Sequence, residues 1–431
     1  MANQLFTDVS VFDGTGKKPF AGEVLVQGNR IKKVARGKSK IERRGVDVID
    51  GGGAFLMPGL VNCHSHTTYL DTSSLAEVGD IPPEEATLKA AHNARIQLDN
   101  GLTAVVSAAA AKPRMDIVLR NEINSGRIPG PRMKACTPQL ISTGGPWDAR
   151  QMHMHHESFE ITCDGPIEFR RATREMIREG VDIVKLAISG DNNTHPHAAE
   201  DMTTWAEDEI AAVMEVAQSR GVWACSHARG DDSIRLSIKY GIQFIHHATY
   251  ASEKTLDSLE KRKHKHYICP AFGAIYTALH EASDWGVTPE FAETAGFARE
   301  LEVGCKTMMK MHKRGIKVLP YGDYGVAWNP HGTDNRDLEH FVNLVGFTSA
   351  ETLMMATMWG GEAFAFGGTP EMGQVKEGFL ADLLLVDGDP LADITIMQDK
   401  DNFLMIMKDG EYHKAPRRRR HTARRRVAAA E

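Results

Sequence analysis

The stretch Pro58-Gly59-Leu60-Val61-Asn62-Cys63-His64-Ser65-His66 decides how this chain is read. A Pro-Gly turn leads into a short apolar run that ends in two histidines, the pattern of a buried strand carrying polar groups at its C-terminal end. Residues two apart in a strand point to one face, so His64 and His66 could grip one ion. Further strand-like runs lie near 102–107, 132–139, 181–188, 221–227, 242–247, 266–270 and 316–323. Helix-like stretches separate most of them, among them 83–100, 167–179, 205–220 and 289–314. Eight strands alternating with helices predict an α/β fold, a (β/α)8 TIM barrel, whose functional groups lie at the C-terminal strand ends.

Working outward, residues 1–56 read as short strands with tight turns, and residues 370–415 return a matching segment, Gly378-Phe379-Leu380-Ala381-Asp382-Leu383-Leu384-Leu385-Val386. Strands at one end alone would leave open edges, so the two ends are expected to meet in a small β-sandwich domain, with the barrel spanning 57–369. Residues 416–431 form a basic tail. From His413 onward eight Lys/Arg face Glu431 alone, and removing this net +7 from the formal −6 leaves an acidic body near −13. The tail lacks interleaved aromatics and reads as a solvated, disordered extension rather than a nucleic-acid tether.

Six cysteines, at 63, 136, 163, 225, 269 and 305, form no Cys-x-x-Cys pair and suit buried thiols better than a disulfide framework. No basic-then-apolar leader is visible, and the most apolar stretch, 101–111, is too short to span a bilayer. A cytoplasmic enzyme without membrane or nucleic-acid partners is the default expectation.

His-x-His occurs four times, at 64/66, 153/155, 195/197 and 264/266. The last pair sits among Lys261, Arg262, Lys263 and Lys265 and reads as a solvated helix end, and 195/197 flanks Pro196 in a polar loop. Only 64/66 closes a strand of the expected barrel. Lys185 interrupts Val181-Asp182-Ile183-Val184-Lys185-Leu186-Ala187-Ile188, where a charge is costly unless paired or removed. A salt bridge to Asp182 is one reading; a neutral amine that takes up carbon dioxide is the other. His227 and His247 each end an apolar run, and either alone could be a hydrogen-bonded core histidine. His246, one residue before His247, is expected to face the other way. Asp323 ends Ile316-Lys317-Val318-Leu319-Pro320-Tyr321-Gly322-Asp323 and could be a ligand, a general base or a helix cap.

The ordered set His64-x-His66, Lys185, His227, His247, Asp323 resembles the amidohydrolase superfamily over nearly the whole chain. Pro58-Gly59-Leu60-Val61-Asn62 and Gly378-x-x-Ala381-Asp382-Leu383 belong to that resemblance. The contexts Ser226-His227-Ala228, His247-Ala248-x-Tyr250 and Asn329-Pro330-His331-Gly332 are similar to the branch of imidazolonepropionase-like and Xaa-Pro dipeptidase-like enzymes, together with ochratoxin-, molinate- and phenylurea-cleaving hydrolases. Two departures stand out. His246 replaces the Glu usual in that branch, and Asp323-Tyr324 replaces the more frequent Asp-Ala or Asp-Thr.

The resemblance implies two divalent cations, with zinc as the natural ion. His64, His66 and Asp323 would hold one and His227 and His247 the other, bridged by hydroxide and by Lys185 carrying carbon dioxide as a carbamate. Asp323 would act as general base and acid. The substrate would be a small molecule with an amide-type C–N bond: a dipeptide, an N-acyl amino acid, an aryl urea or a carbamate. A lactone or ester hydrolase on the same site, and a non-catalytic scaffold paralogue, are the alternatives; intact ligand positions weigh against the scaffold. A deaminase would usually carry His-x-x-Glu after the fifth strand, and His227-Ala228-Arg229-Gly230 does not. Many relatives are homo-oligomers, and the same is expected here.

Substrate choice is expected to lie in loops, above all residues 141–165 with Trp147, His153 and His155. Tyr250 could donate to a developing oxyanion, and Trp328 and His331 could contact the substrate.

Overall fold

Eight short parallel strands carry the residues singled out above: β1 (Leu60–Ser65), β2 (Leu102–Ser107), β3 (Arg132–Lys134), β4 (Ile183–Ala187), β5 (Trp223–Ala228), β6 (Phe244–His247), β7 (Tyr267–Cys269) and β8 (Lys317–Val318). They are seen in a computed structural model that describes residues 3–148, 150, 152–153, 159–192 and 197–416. Among the described residues β1, β2 and β3 form one parallel sheet, while β4 to β8 run in order in a second, whose other edge is Leu140–Ile141 and Ile161–Thr162. A parallel bridge from Cys136 to Ile183 carries the pairing from the first sheet to the second. The expected third strand over 132–139 is thus split, with Arg132–Lys134 and Leu140–Ile141 pairing different neighbours.

Period-two alternation sorts the side chains. Val61, Cys63, Ala104, Val106, Ile183, Cys225, Phe244, Cys269 and Leu319 share one inner core. The intervening Val184, Leu186 and Ala224 pack outward against helices Gly165–Glu179 and Glu207–Ser219. Ile245, Ile268 and Val318 do the same against Asp231–Tyr240, Glu253–Lys261 and Phe297–Lys313. The helix expected over 289–314 is two, Pro289–Thr294 and Phe297–Lys313, broken where Gly296 takes φ +81°.

Strands from both chain ends share a mixed eight-stranded sheet among the described residues. Its order is Glu411–Lys414, Phe403–Lys408, Leu383–Val386, Phe55–Pro58, Gln4–Val11, Phe20–Gln27 and Arg30–Arg36, with Asp47–Asp50 also on Gln4–Val11. Leu383 and Leu385 pack with Phe6, Val24 and Met405 on one face. Leu384 and Val386 pack on the other with Leu98, Leu102 and Leu338, which ties this sheet to the parallel strands. Gly59 is the joint, since a Cβ there would lie 2.1 Å from Thr103 Oγ1.

All six cysteines are free thiols, five buried and Cys305 partly so. Among the described residues no helix is long and apolar enough to cross a membrane. Of the basic tail only Pro416 lies within the described residues.

Candidate metal centre

At one end of the parallel strands His64, His66, Lys185, His227, His247 and Asp323 meet. The register of β1 on β2 shifts between Asn62 and Ser65, and this bulge re-aims the end of the strand. His64 N donates to Asn62 Oδ1 at 2.8 Å. Helix Pro83–Asp99 clamps the segment that follows: Gln97 donates to Ser65 Oγ and accepts from Thr67, and Asn93 donates to Tyr69 O. Gly322, at φ +149°, makes room for the histidine, because a Cβ there would lie 2.6 Å from His64 Nδ1.

Each imidazole is anchored through one nitrogen on a backbone carbonyl. Nδ1 of His64 lies 3.2 Å from Cys269 O, Nδ1 of His66 3.3 Å from Ala109 O, and Nδ1 of His247 3.3 Å from Pro270 O. His227 uses Nε2, 3.0 Å from Gly190 O. A carbonyl can only accept, so the anchored nitrogen carries the hydrogen and the other presents a lone pair. Nε2 of His64 and of His66 then face Asp323 Oδ1 at 3.0 and 3.2 Å.

Burial depresses the pKa of all four rings. His66 is pulled from 6.5 to about 4 by desolvation, against the opposing pull of the Asp323 carboxylate, and His64 is lowered for the same reason. His227 and His247 fall well below the usual range, with the Arg229 charge adding to desolvation. Burial also opposes ionisation of Asp323. The imidazoles of His64, His247 and His66 gathered round it outweigh burial and hold the carboxyl well below the carboxylate range. Lone pairs on neutral imidazoles therefore point at a carboxylate oxygen. Such an arrangement is repulsive until a cation stands between them. Ligand atoms of His64, His247 and Asp323 all lie within 4.8 Å of one another, and this donor set fits a divalent metal.

The amidohydrolase family profile matches residues 55–412. The chain belongs to the amidohydrolase family. Ochratoxinase from Aspergillus niger is 25% identical over 391 residues, covering 84% of this chain and 76% of that protein. The crystal structure of another amidohydrolase is similar at 26% identity and TM-score 0.83, covering 95% of this chain and 98% of its own. A prolidase complexed with N-methylphosphonate-L-proline superposes with TM-score 0.84 at 23% identity, over 96% and 99% of the two chains. Family and neighbours imply a TIM-barrel fold with an additional domain, and amidohydrolases generally use metal ions.

In this amidohydrolase the strand phase corrects one expectation. His246 does not turn away from the site. Phe244 lies in the inner core and Ile245 in the outer one, so His246 faces inward by alternation. His247 follows it because its φ of +68° and the +53° of Ala248 swing the strand end round. Tyr321 and Asp323 are also left-handed, at +81° and +56°. Non-glycine residues in that region cost about 1–3 kcal/mol each and gather where function demands the geometry. The His246 ring stacks on His64 at 3.8 Å between centroids, and its Nδ1 lies 3.0 Å from Lys185 Nζ. Lys185, 1% exposed, thus meets His246, while Asp182 pairs with Arg120 instead.

A cavity of about 500 Å³ opens above the centre, lined by His66, Lys185, His227 and Asp323 and also by Trp147 and Trp328. Trp147 stands edge-on to His227 with ring centroids 5.0 Å apart. Tyr250 and His331 do not line it. Tyr250 donates to Glu200 at 3.3 Å under the guanidinium of Arg299. His331 is buried, its backbone N–H on Asp71 and its Nε2 3.2 Å from Tyr69 O. His153 is exposed and lines no part of the cavity, and His155 and His195 lie outside the described residues. His266 is no solvated helix end: it precedes β7, fully buried, with Nδ1 2.7 Å from Ile242 O.

Further polar cavity residues escaped the sequence reading. Tyr69 stacks on His66 at 4.2 Å and accepts from Gln139, and Arg229 pairs with Asp191. Arg229 was findable, standing two residues after His227 on the same strand face. Tyr69 and Asp191 lie beyond strand ends, where no periodicity points to them, and Gln139 lies between the two halves of the split third strand.

Proposed function

We propose that this chain hydrolyses an amide-type C–N bond in a neutral small molecule bearing an aryl or bulky apolar group. The carrying observation is the set of imidazole lone pairs, each fixed by a carbonyl, turned on the Asp323 carboxylate at the floor of the cavity. His64, His66 and Asp323 would hold one divalent cation, His227 and His247 a second, and a carbamate on Lys185 would bridge them, with zinc suited to nitrogen and oxygen donors. Bound there, the cations would lower the pKa of water and polarise the scissile carbonyl. Asp323, ionised and facing the cavity, accepts the proton of the attacking water and delivers it to the leaving nitrogen. The strands that bring these groups together are read as the staves of one (β/α)8 barrel, with the mixed sheet as its companion domain.

The walls argue for the substrate. Trp285, Val287, Phe291 and Phe297 add to Trp147 and Trp328 as apolar lining. Among the described lining residues the cations are Arg229 and Lys185, and both are engaged: Arg229 with Asp191 and Glu300, Lys185 with His246. Among the described lining residues no cation remains to anchor a substrate carboxylate, which favours aryl amides, ureas and carbamates over dipeptides.

The test is a mass-spectrometric hydrolysis panel on zinc-loaded protein. Cleavage of neutral aryl amides, ureas or carbamates is the expected result. Cleavage confined to dipeptides and N-acyl amino acids would overturn the substrate reading, and cleavage confined to lactones would overturn the C–N assignment.

A further inference from the structure

His246 sits beneath the proposed centre and is not among its ligands. Its plane is tilted only 11° from that of His64, at 3.8 Å between centroids. Two imidazoles stacked in this way direct their in-plane lone pairs side by side, so they cannot converge on one ion. What His246 does reach is Lys185: Nδ1 lies 3.0 Å from Nζ, and the lysine is buried on every side.

The chemistry of a carbamate makes that contact specific. In its formation the lone pair of the neutral amine attacks the carbon of carbon dioxide, the C–N bond forms, and one π pair moves onto oxygen. One N–H proton leaves to solvent. The nitrogen keeps a single hydrogen, and its lone pair is conjugated with the carboxylate, so from then on it only donates. In a buried site that hydrogen needs an acceptor or stands unsatisfied. His246 Nδ1 stands beside it and accepts in the tautomer that carries the ring hydrogen on Nε2.

We infer that His246 is a positioning residue that accepts the remaining hydrogen of carbamylated Lys185 and so holds the bridging carbamate in place. The assignment rests on the two-cation reading of this site. The sequence resemblance puts Glu here, which is an acceptor with a full negative charge; His246 supplies the same acceptance without that charge.

The experiment follows carbamate and metal rather than turnover. Full-length protein is stripped and reloaded with zinc over a range of 13C-bicarbonate concentrations. The carbamate carbon is read by NMR and zinc per chain by elemental mass spectrometry. His246→Phe keeps the ring stack and removes the acceptor; His246→Leu is a second variant without one. His246→Asn places an amide oxygen where Nδ1 was. The expected result is that Phe or Leu needs roughly tenfold more bicarbonate for half-maximal zinc uptake, with a weakened carbamate signal. Asn should stay within about threefold of the parent, as a retained acceptor requires. Equal bicarbonate dependence in the parent and a folded Phe or Leu variant would overturn the assignment and leave the two-cation reading standing. A folded Asn variant that behaves like Phe would also overturn it. A parent chain with neither carbamate nor zinc would sink both.

Discussion

Arg229 meets Asp191 through two nitrogens on one oxygen: Nε and Nη2 lie 3.1 and 2.9 Å from the same Oδ2. Its remaining terminal nitrogen is given to Glu300, which also accepts from Thr249. The three ionic side chains are buried between the end of β5 and helix Phe297–Lys313. Beside them the segment after β4 supplies both Gly190, the anchor of His227, and Asp191.

Arg229→Met should therefore be costly. It would leave two buried carboxylates without their cation, and breaking a buried ion cluster on one side typically costs about 3–5 kcal/mol. Urea unfolding of the zinc-free protein is the check. A loss under about 1 kcal/mol would mean that solvent already screens the cluster.

Lys185→Ala should leave the fold intact and remove most activity. With the proposed bridge gone, zinc per chain should fall well below that of the parent, and hydrolysis should drop by roughly three orders of magnitude or more. Circular dichroism controls for folding. A fully active, fully metallated variant would defeat the carbamate role.

Asp323→Asn tests the proton carrier. Asparagine tolerates the left-handed backbone at φ +56°, so the change should fall on chemistry rather than on the loop. We expect kcat to fall by about 10² to 10⁴ with a far smaller change in KM. A loss confined to KM would make Asp323 a substrate contact instead.

Trp147→Ala should lower kcat/KM for aryl substrates by roughly tenfold and barely alter small aliphatic ones. Loss of an aromatic wall removes about 1–2 kcal/mol of apolar contact. Equal losses for both substrate types would point to the edge-on contact of Trp147 with His227 as the cause.

His266 predicts an acid-sensitive fold away from the centre. Burial holds its pKa down to about 4 from the ordinary 6.5. Between those values the unfolded chain binds a proton that the native chain excludes. The contribution is thus present above about pH 6.5 and is lost as pH falls towards 4. From pH 7 to 5 the loss is about 2 kcal/mol. His266→Asn keeps a donor for Ile242 O and cannot titrate. Its urea-unfolding free energy should decline less over that interval, and an identical decline would remove His266 from the account.

Much of this was legible because buried strands write themselves plainly: an apolar run that stops at His64, His227 or His247 announces both the strand and its polar end, whereas Asp323 stands past the end of the shorter strand Lys317–Val318. Lys185 stood out because a lysine inside such a run needs a partner. What period-two reading cannot see is a left-handed residue. At His247 and Ala248 the chain turns without a glycine to signal it, so His246 and His247 both face inward where alternation allows one. Tyr250 and His331 were drawn in by motif context, yet their bonds to Glu200 and to Tyr69 O are long-range contacts that local sequence does not encode.

The mixed sheet has a further effect on how the protein comes into being. Phe55–Pro58, the strand that leads into His64, pairs register for register with Leu383–Val386. On a ribosome the first two histidines emerge early, but the strand ahead of them lacks that neighbour until residue 386 has been made. At about 5–20 residues per second the gap is on the order of tens of seconds. The strand that leads into His64 is therefore secured from the far end of the chain, after Asp323 has already been made.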